Sequence, residues 1–180
     1  MMAAAPFNQA VLDLRAQFDS AFAQAPEVAG AARLGMLAVR VGTEPYALHL
    51  EQIGGLHADR RIMALPTPVP SLLGVTGFRG QIVPVYDLAV LLGHERSAAP
   101  RWLVLVRCAQ ALALAFDQFE AHFTVAPEQI MSAGAAAGRP HLCDTVQGVD
   151  ALRPIIHLPS LHDNIQRQAS LALQQRSKQP

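Results

Sequence analysis

Charge is scarce in this 180-residue chain: 16% of residues are charged, and 14 basic residues balance 14 acidic ones. A net charge of zero argues against a nucleic-acid binder, in which clustered Lys and Arg neutralise phosphates, and equally against a basic membrane-surface anchor. Cysteine is nearly absent. Cys108 and Cys143 have neither metal-type spacing nor the density of a disulfide framework, which predicts reduced, buried thiols in a cytoplasmic protein. No run approaches the roughly 18 apolar residues of a membrane-spanning helix. The opening MMAAAPFNQAVLDLRAQFD has no basic n-region and carries Asp13 and Arg15, which predicts no cleaved secretory signal. No repeat of fixed period occurs. What is abundant is apolar surface, 51% of residues, enough for a sizeable core in a domain of ordinary size.

The apolar residues change period along the chain. Phe7, Val11, Leu14, Phe18 and Phe22 recur at helical spacing, which predicts a helix over residues 7–25, limited by Pro26, within an N-terminal extension of residues 1–30. Such a stripe packs on its own domain or anchors a partner helix or a second copy. From Leu34 the pattern is that of strands: LGMLAVRV, a turn at GTE, then PYALHLEQI, in which Tyr46, Leu48 and Leu50 alternate with Ala47, His49 and Glu51. Three prolines, Pro66, Pro68 and Pro70, hold the loop His57–Ser71 extended. Beyond GVTGFRGQIVPVYDL (Gly74–Leu88) come a short helical turn AVLLG ended by Gly93, strands at RWLVLVR and ALALAF, and a strand around residues 121–125. A low-complexity loop MSAGAAAGRP and a last strand at RPIIHL, leading into a polar, Gln-rich C-terminal segment that is helical and then frayed, complete the reading. Short strands with Gly and Pro punctuation point to an all-β barrel or sandwich.

Catalytic chemistry finds no foothold. His157 and His162 are separated by Pro159, and His49, His57, His94, His122 and His141 are scattered, with no zinc-type ligand spacing. Cys108 ends an apolar run, and Cys143 lies beside Asp144, which raises a thiol pKa. GVTGFRG lacks both phosphate-loop patterns, and the strand after Gly80 leaves no helix N-terminus for an anion. Asp87 and Asp117 each close a strand; Asp87 reads as the N-cap of the helical turn that follows. The expectation is no enzyme activity, no cofactor and no metal.

The stretch GVTGFRGQIVPVYDL resembles the central signature of the CheW family, G-V-x-N-L-R-G-x-[IV]-[VL]-P-[VI]-x-D-L, matching at Gly74, Val75, Arg79, Gly80, Pro84, Asp87 and Leu88. Weaker likeness extends from Leu34 to Leu161, so residues 31–165 are expected to form the CheW-like domain and 166–180 a polar tail. The resemblance implies a mainly β fold of two SH3-like five-stranded barrels, here with an added N-terminal helix and a short C-terminal helix. It implies a non-catalytic adaptor that joins chemoreceptor cytoplasmic tips to the regulatory domain of a CheA-type histidine kinase, and further CheW-like copies, at membrane-associated arrays. Arg79 is then the polar point of the receptor-facing groove, aimed by Gly77 and Gly80, with Gly74, Ile53 and Phe78 near it. Apolar ends of the barrels would dock kinase and neighbouring adaptors.

Three positions depart from the family pattern. Gly77 stands for Asn and Phe78 for Leu, Gly55 falls where an acid often pairs the arginine, and the last strand ends IIHLPSL rather than in Leu-Asp. An alternative is a divergent scaffold for a type IV pilus or other non-flagellar system, with residues 7–25 making an extra contact. A more distant one is a small-molecule-binding or enzymatic β-barrel.

Overall fold

The computed structural model describes residues 33–132, 140–148 and 150–176. The helix expected over residues 7–25 lies outside them, as do the middle of the low-complexity loop and the last four residues. Eleven strands and two helices follow in order among the described residues: β1 (Leu34–Val41), β2 (Glu44–His49), β3 (Ile53–Ala58), β4 (Leu72–Phe78), β5 (Gln81–Asp87), α1 (Leu88–Leu91), β6 (Trp102–Val106), β7 (Leu112–Phe116), β8 (Gln118–Val125), β9 (Ile130–Ser132), β10 (Leu142–Gln147), β11 (Leu152–Ile156) and α2 (Leu158–Arg176).

The strands form a six-stranded sheet, ordered β8-β1-β2-β11-β10-β9, and a five-stranded sheet, ordered β3-β6-β7-β5-β4. The first two and the last four described strands belong to the first sheet and the second is built between them, so the expected pair of five-stranded units is one of five strands and one of six. Each sheet buries apolar residues on both faces, which explains the near-continuous runs in the sequence. All five residues of β7 are buried. Leu112, Leu114 and Phe116 enter a central cluster with Val39, Tyr46 and Leu48 of the other sheet and Leu158, Leu161 and Ile165 of α2. Ala113 and Ala115 face a second cluster with Phe78, Val83, Val85 and Leu103. A third, Met36, Ala47, Val125, Val146 and Ile155, lies within the six-stranded sheet. Each large aliphatic or aromatic side chain so buried contributes about 1.5–3 kcal/mol.

Several local expectations change. The run PYALHLEQI stops being a strand at His49: Leu50–Gln52 form one 3-10 turn, and Ile53 begins β3. The alternation ends with it, because Leu50 is 39% exposed while Ala47 is fully buried. The C-terminal helix is not short. It runs 19 residues without interruption, so residues 166–176, expected as a polar tail, are its second half, held to the domain by Ile165 and by Ser71 Oγ donating to Gln168 Oε1 at 3.0 Å. The turn at Gly42–Thr43 and the capping role of Asp87 are as read. Asp87 is fully buried and its Oδ1 accepts from the backbone N–H of Ala89 at 2.9 Å. Asp117 has a parallel structural task, accepting from Gly42 N–H at 2.7 Å and from Ser97 Oγ, which ties the β1–β2 turn to the loop after α1.

Candidate functional site

The signature folds as one hairpin. Strands β4 and β5 pair from Leu72↔Tyr86 to Phe78↔Gln81, leaving Arg79-Gly80 as a two-residue loop. Both loop residues have positive φ, 46° and 80°, the pattern of the type I′ turns whose twist matches flanking strands. Gly80 takes this conformation freely. Arginine does not, because a Cβ crowds the left-handed region, and Asn or Asp is the usual choice ahead of Gly. Gly77, expected to help aim Arg79, has no positive φ; it sits in regular strand, exposed, opposite Ile82, which is 79% exposed.

The hairpin's inward face places Phe78 at one wall of a groove of about 320 Å³, whose other members include Gly54, Gly55, His57, Arg60 and Arg79. Phe78 is buried, its ring 4.7 Å from that of His57, with the Arg60 guanidinium 5.2 Å above its centroid. Both arginines are exposed, and among the described residues neither has a hydrogen-bond or ion-pair partner. Burial, reinforced by the charges of Arg60 and Arg79, lowers the His57 pKa from its ordinary value, so the imidazole is neutral at pH 7.

Of the residues expected at the site, Arg79 and Phe78 line this groove together. Gly80 shapes the turn beside it. Ile53 is buried at the start of β3, next to Gly54 of the groove wall. Gly74 is elsewhere: it is buried on β4 with φ 147°, where a Cβ would stand 2.1 Å from the Met63 carbonyl oxygen. That close approach lets Met63 and Val75 exchange two backbone hydrogen bonds of 2.8 and 2.9 Å. Arg60 and His57 are the members that sequence reading missed. The doublet Arg60-Arg61 carried no periodic signal, and only the return of the loop across β4 brings Arg60 over Phe78.

The remaining candidates for chemistry have structural surroundings. Cys108 donates to the Gln110 carbonyl at 2.8 Å and burial pushes its pKa up. Burial, and then Asp144, push the Cys143 thiol up as well. Among the described residues no three His, Cys, Asp or Glu side chains are grouped to hold a metal ion, and no helix is long and apolar enough to cross a membrane.

A family model described as a CheW-like domain matches residues 35–165, a span that contains the whole groove and hairpin. The solved structure of scaffolding protein TtCheW from Thermoanaerobacter tengcongensis is similar in fold, with a TM-score of 0.63 at 18% sequence identity over 69% of this chain and 89% of that one. No curated protein matches the chain significantly.

Proposed function

Since the chain belongs to the CheW-like domain family, matched over residues 35–165, we propose that it is a non-catalytic adaptor coupling chemoreceptor cytoplasmic tips to a CheA-type histidine kinase. Recruitment to membrane-associated receptor arrays follows from that role. The observation that carries the reading is Arg79: an exposed arginine, with no hydrogen-bond or ion-pair partner among the described residues, held at φ 46° on a hairpin tip. Residues held in such sparsely populated conformations cluster at functional sites, which favours a role for this side chain in contacts outside the fold. A guanidinium fork suits protein docking, because it bonds carboxylates or backbone carbonyls at several points at once. The apolar wall of Phe78 beside it supplies the desolvated area that such an anchor needs. Exposed Ile82 on the opposite face of the hairpin suits a further contact, with kinase or with another adaptor copy.

The geometry yields a test that separates fold from function. Arg79→Asn places the preferred residue at the first position of the turn and is expected to stabilise the protein by up to about 1 kcal/mol. The same substitution removes the guanidinium and is expected to weaken capture by a receptor tip about tenfold or more. Chemical denaturation measures the first quantity. Co-sedimentation with receptor-tip fragments, and kinase activation in a mixture with receptor and CheA-type kinase, measure the second. A variant that is more stable and equally active in the mixture would remove Arg79 from the docking surface.

A further inference from the structure

The groove is one-signed. Among the described residues its lining carries Arg60, Arg79 and His57 and no carboxylate. The acid nearest in sequence, Asp59, is held by Arg101 through two contacts of 3.0 and 3.2 Å, so its charge is already answered. Gly55, where the family often has an acid, carries none, and a Cβ added there would lie 3.0 Å from His57 Nε2, a tight contact with that ring. Arg60 thus lies over the Phe78 ring and Arg79 lines the same groove, with no counter-charge for either among the described residues. The rest of the lining includes Phe78, Val83 and Leu105, of which Phe78 and Val83 are buried core residues and Leu105 packs against them.

We infer that this groove selects a partner segment presenting a carboxylate flanked by apolar residues. Arg60 and Arg79 receive the carboxylate, and the apolar residues cover Phe78, Val83 and Leu105. The inference rests on the reading of the groove as the docking surface and adds the chemistry of its occupant. Charge complementarity argues for an acid: two cations with no ion-pair partner among the described residues repel a basic segment and gain little from a neutral one. The apolar floor and the volume argue for a protein segment over a free anion, which would leave that floor wet.

The test uses the full chain and a fluorescein-labelled peptide, Leu-Glu-Leu-Leu-Glu-Leu, with its Gln and Lys analogues, read by anisotropy at low salt. The Glu peptide is expected to bind, the Gln peptide about tenfold or more weakly, and the Lys peptide not at all. Arg60→Glu, an exposed substitution checked for folding by circular dichroism, is expected to abolish Glu-peptide binding. Equal binding of Glu and Gln peptides, no binding of any of the three, or indifference to Arg60→Glu would overturn the inference. So would complete displacement by millimolar inorganic phosphate together with retained binding of a peptide in which Leu is replaced by Ser, the behaviour of a plain anion site. A parallel arm keeps the two readings apart. Receptor-tip capture that needs Arg79 but tolerates Arg60→Glu refutes the carboxylate selection and leaves the docking reading intact. Capture that tolerates loss of either arginine refutes both.

Discussion

Gly74→Ala is expected to destabilise the protein by about 3–5 kcal/mol, a large share of the roughly 5–15 kcal/mol that holds an ordinary domain together. Two effects add. The residue has φ 147°, a conformation that side chains with a Cβ rarely adopt. The new methyl would also lie 2.1 Å from the Met63 oxygen, 2.7 Å from its carbonyl carbon and 2.9 Å from Ala64 Cα, all of them backbone atoms that cannot rotate away. Relief requires breaking the Met63–Val75 bridge, which fixes the loop carrying Arg60 against β4. Urea denaturation of Gly74→Ala beside Gly77→Ala makes the comparison internal, because a Cβ at Gly77 meets nothing within 4 Å and is expected to change stability by only about 0.5 kcal/mol. Equal behaviour of the two variants would contradict this account of the Met63–Val75 bridge. The resemblance to the family signature places Gly74 near the groove; the structure makes it the residue that lets the groove's loop lie close.

Arg153→Ala is expected to cost about 3–5 kcal/mol through a different mechanism. Arg153 is a buried residue of β11, with Nη1 2.6 Å from Glu120 Oε2. Glu120 on β8 also meets Arg40 of β1, whose Nη2 lies 2.6 Å and Nε 2.8 Å from Oε1. The network crosses the six-stranded sheet, and removing Arg153 leaves Glu120 with one partner in a largely dry place. Burial alone would raise the Glu120 pKa, but the hydrogen bonds and charges of Arg40 and Arg153 outweigh it and hold the carboxyl below its ordinary value. A carboxyl depressed in the folded state contributes stability that is complete above its unfolded pKa of about 4.3 and is lost as pH falls through the folded value. Stability of the native chain is thus expected to decline below about pH 4 with a contribution that Glu120→Gln removes. Denaturation curves from pH 7 to pH 3 for both proteins check this. Parallel pH profiles would show that Glu120 is not depressed. Pairing Arg153→Met with Glu120→Gln is expected to recover much of the loss, since no lone charge is then buried.

The parts of this fold that could be read in advance are those whose cause is local. Asp87 precedes a helical turn and caps it; Trp102–Val106 and Leu112–Phe116 are unbroken apolar runs because both faces of their sheet are buried. The hairpin was legible because Gly80 interrupts two strand-forming runs and the whole stretch matches the family signature. What escaped has tertiary causes. Strand β10, Leu142–Gln147, buries only Val146 fully and mixes Cys143, Asp144 and Thr145 on its surfaces, so neither alternation nor a continuous run marks it. Strand β9 is three residues long and exists through pairing with β10. The helix after the last strand was expected, but not its length of 19 residues or its docking against Ser71 and the central cluster, which a Gln-rich sequence does not announce. At the site, Arg79 was found through the likeness of GVTGFRGQIVPVYDL to the family signature. Arg60 and His57 were not, because a loop of thirteen residues between β3 and β4 decides that a guanidinium lands on Phe78.

The central claim is that the Arg79 groove on the five-stranded sheet is where a chemoreceptor tip docks. Hydrogen exchange by mass spectrometry on the full chain, alone and saturated with a receptor-tip helical hairpin, tests it most directly. Amides of residues 54–60 and 78–83, the two walls of the groove, are expected to slow on binding, and the effect is expected to vanish with Arg79→Asn. Slowing confined to the six-stranded sheet or to α2, with residues 54–60 and 78–83 unchanged, would contradict it.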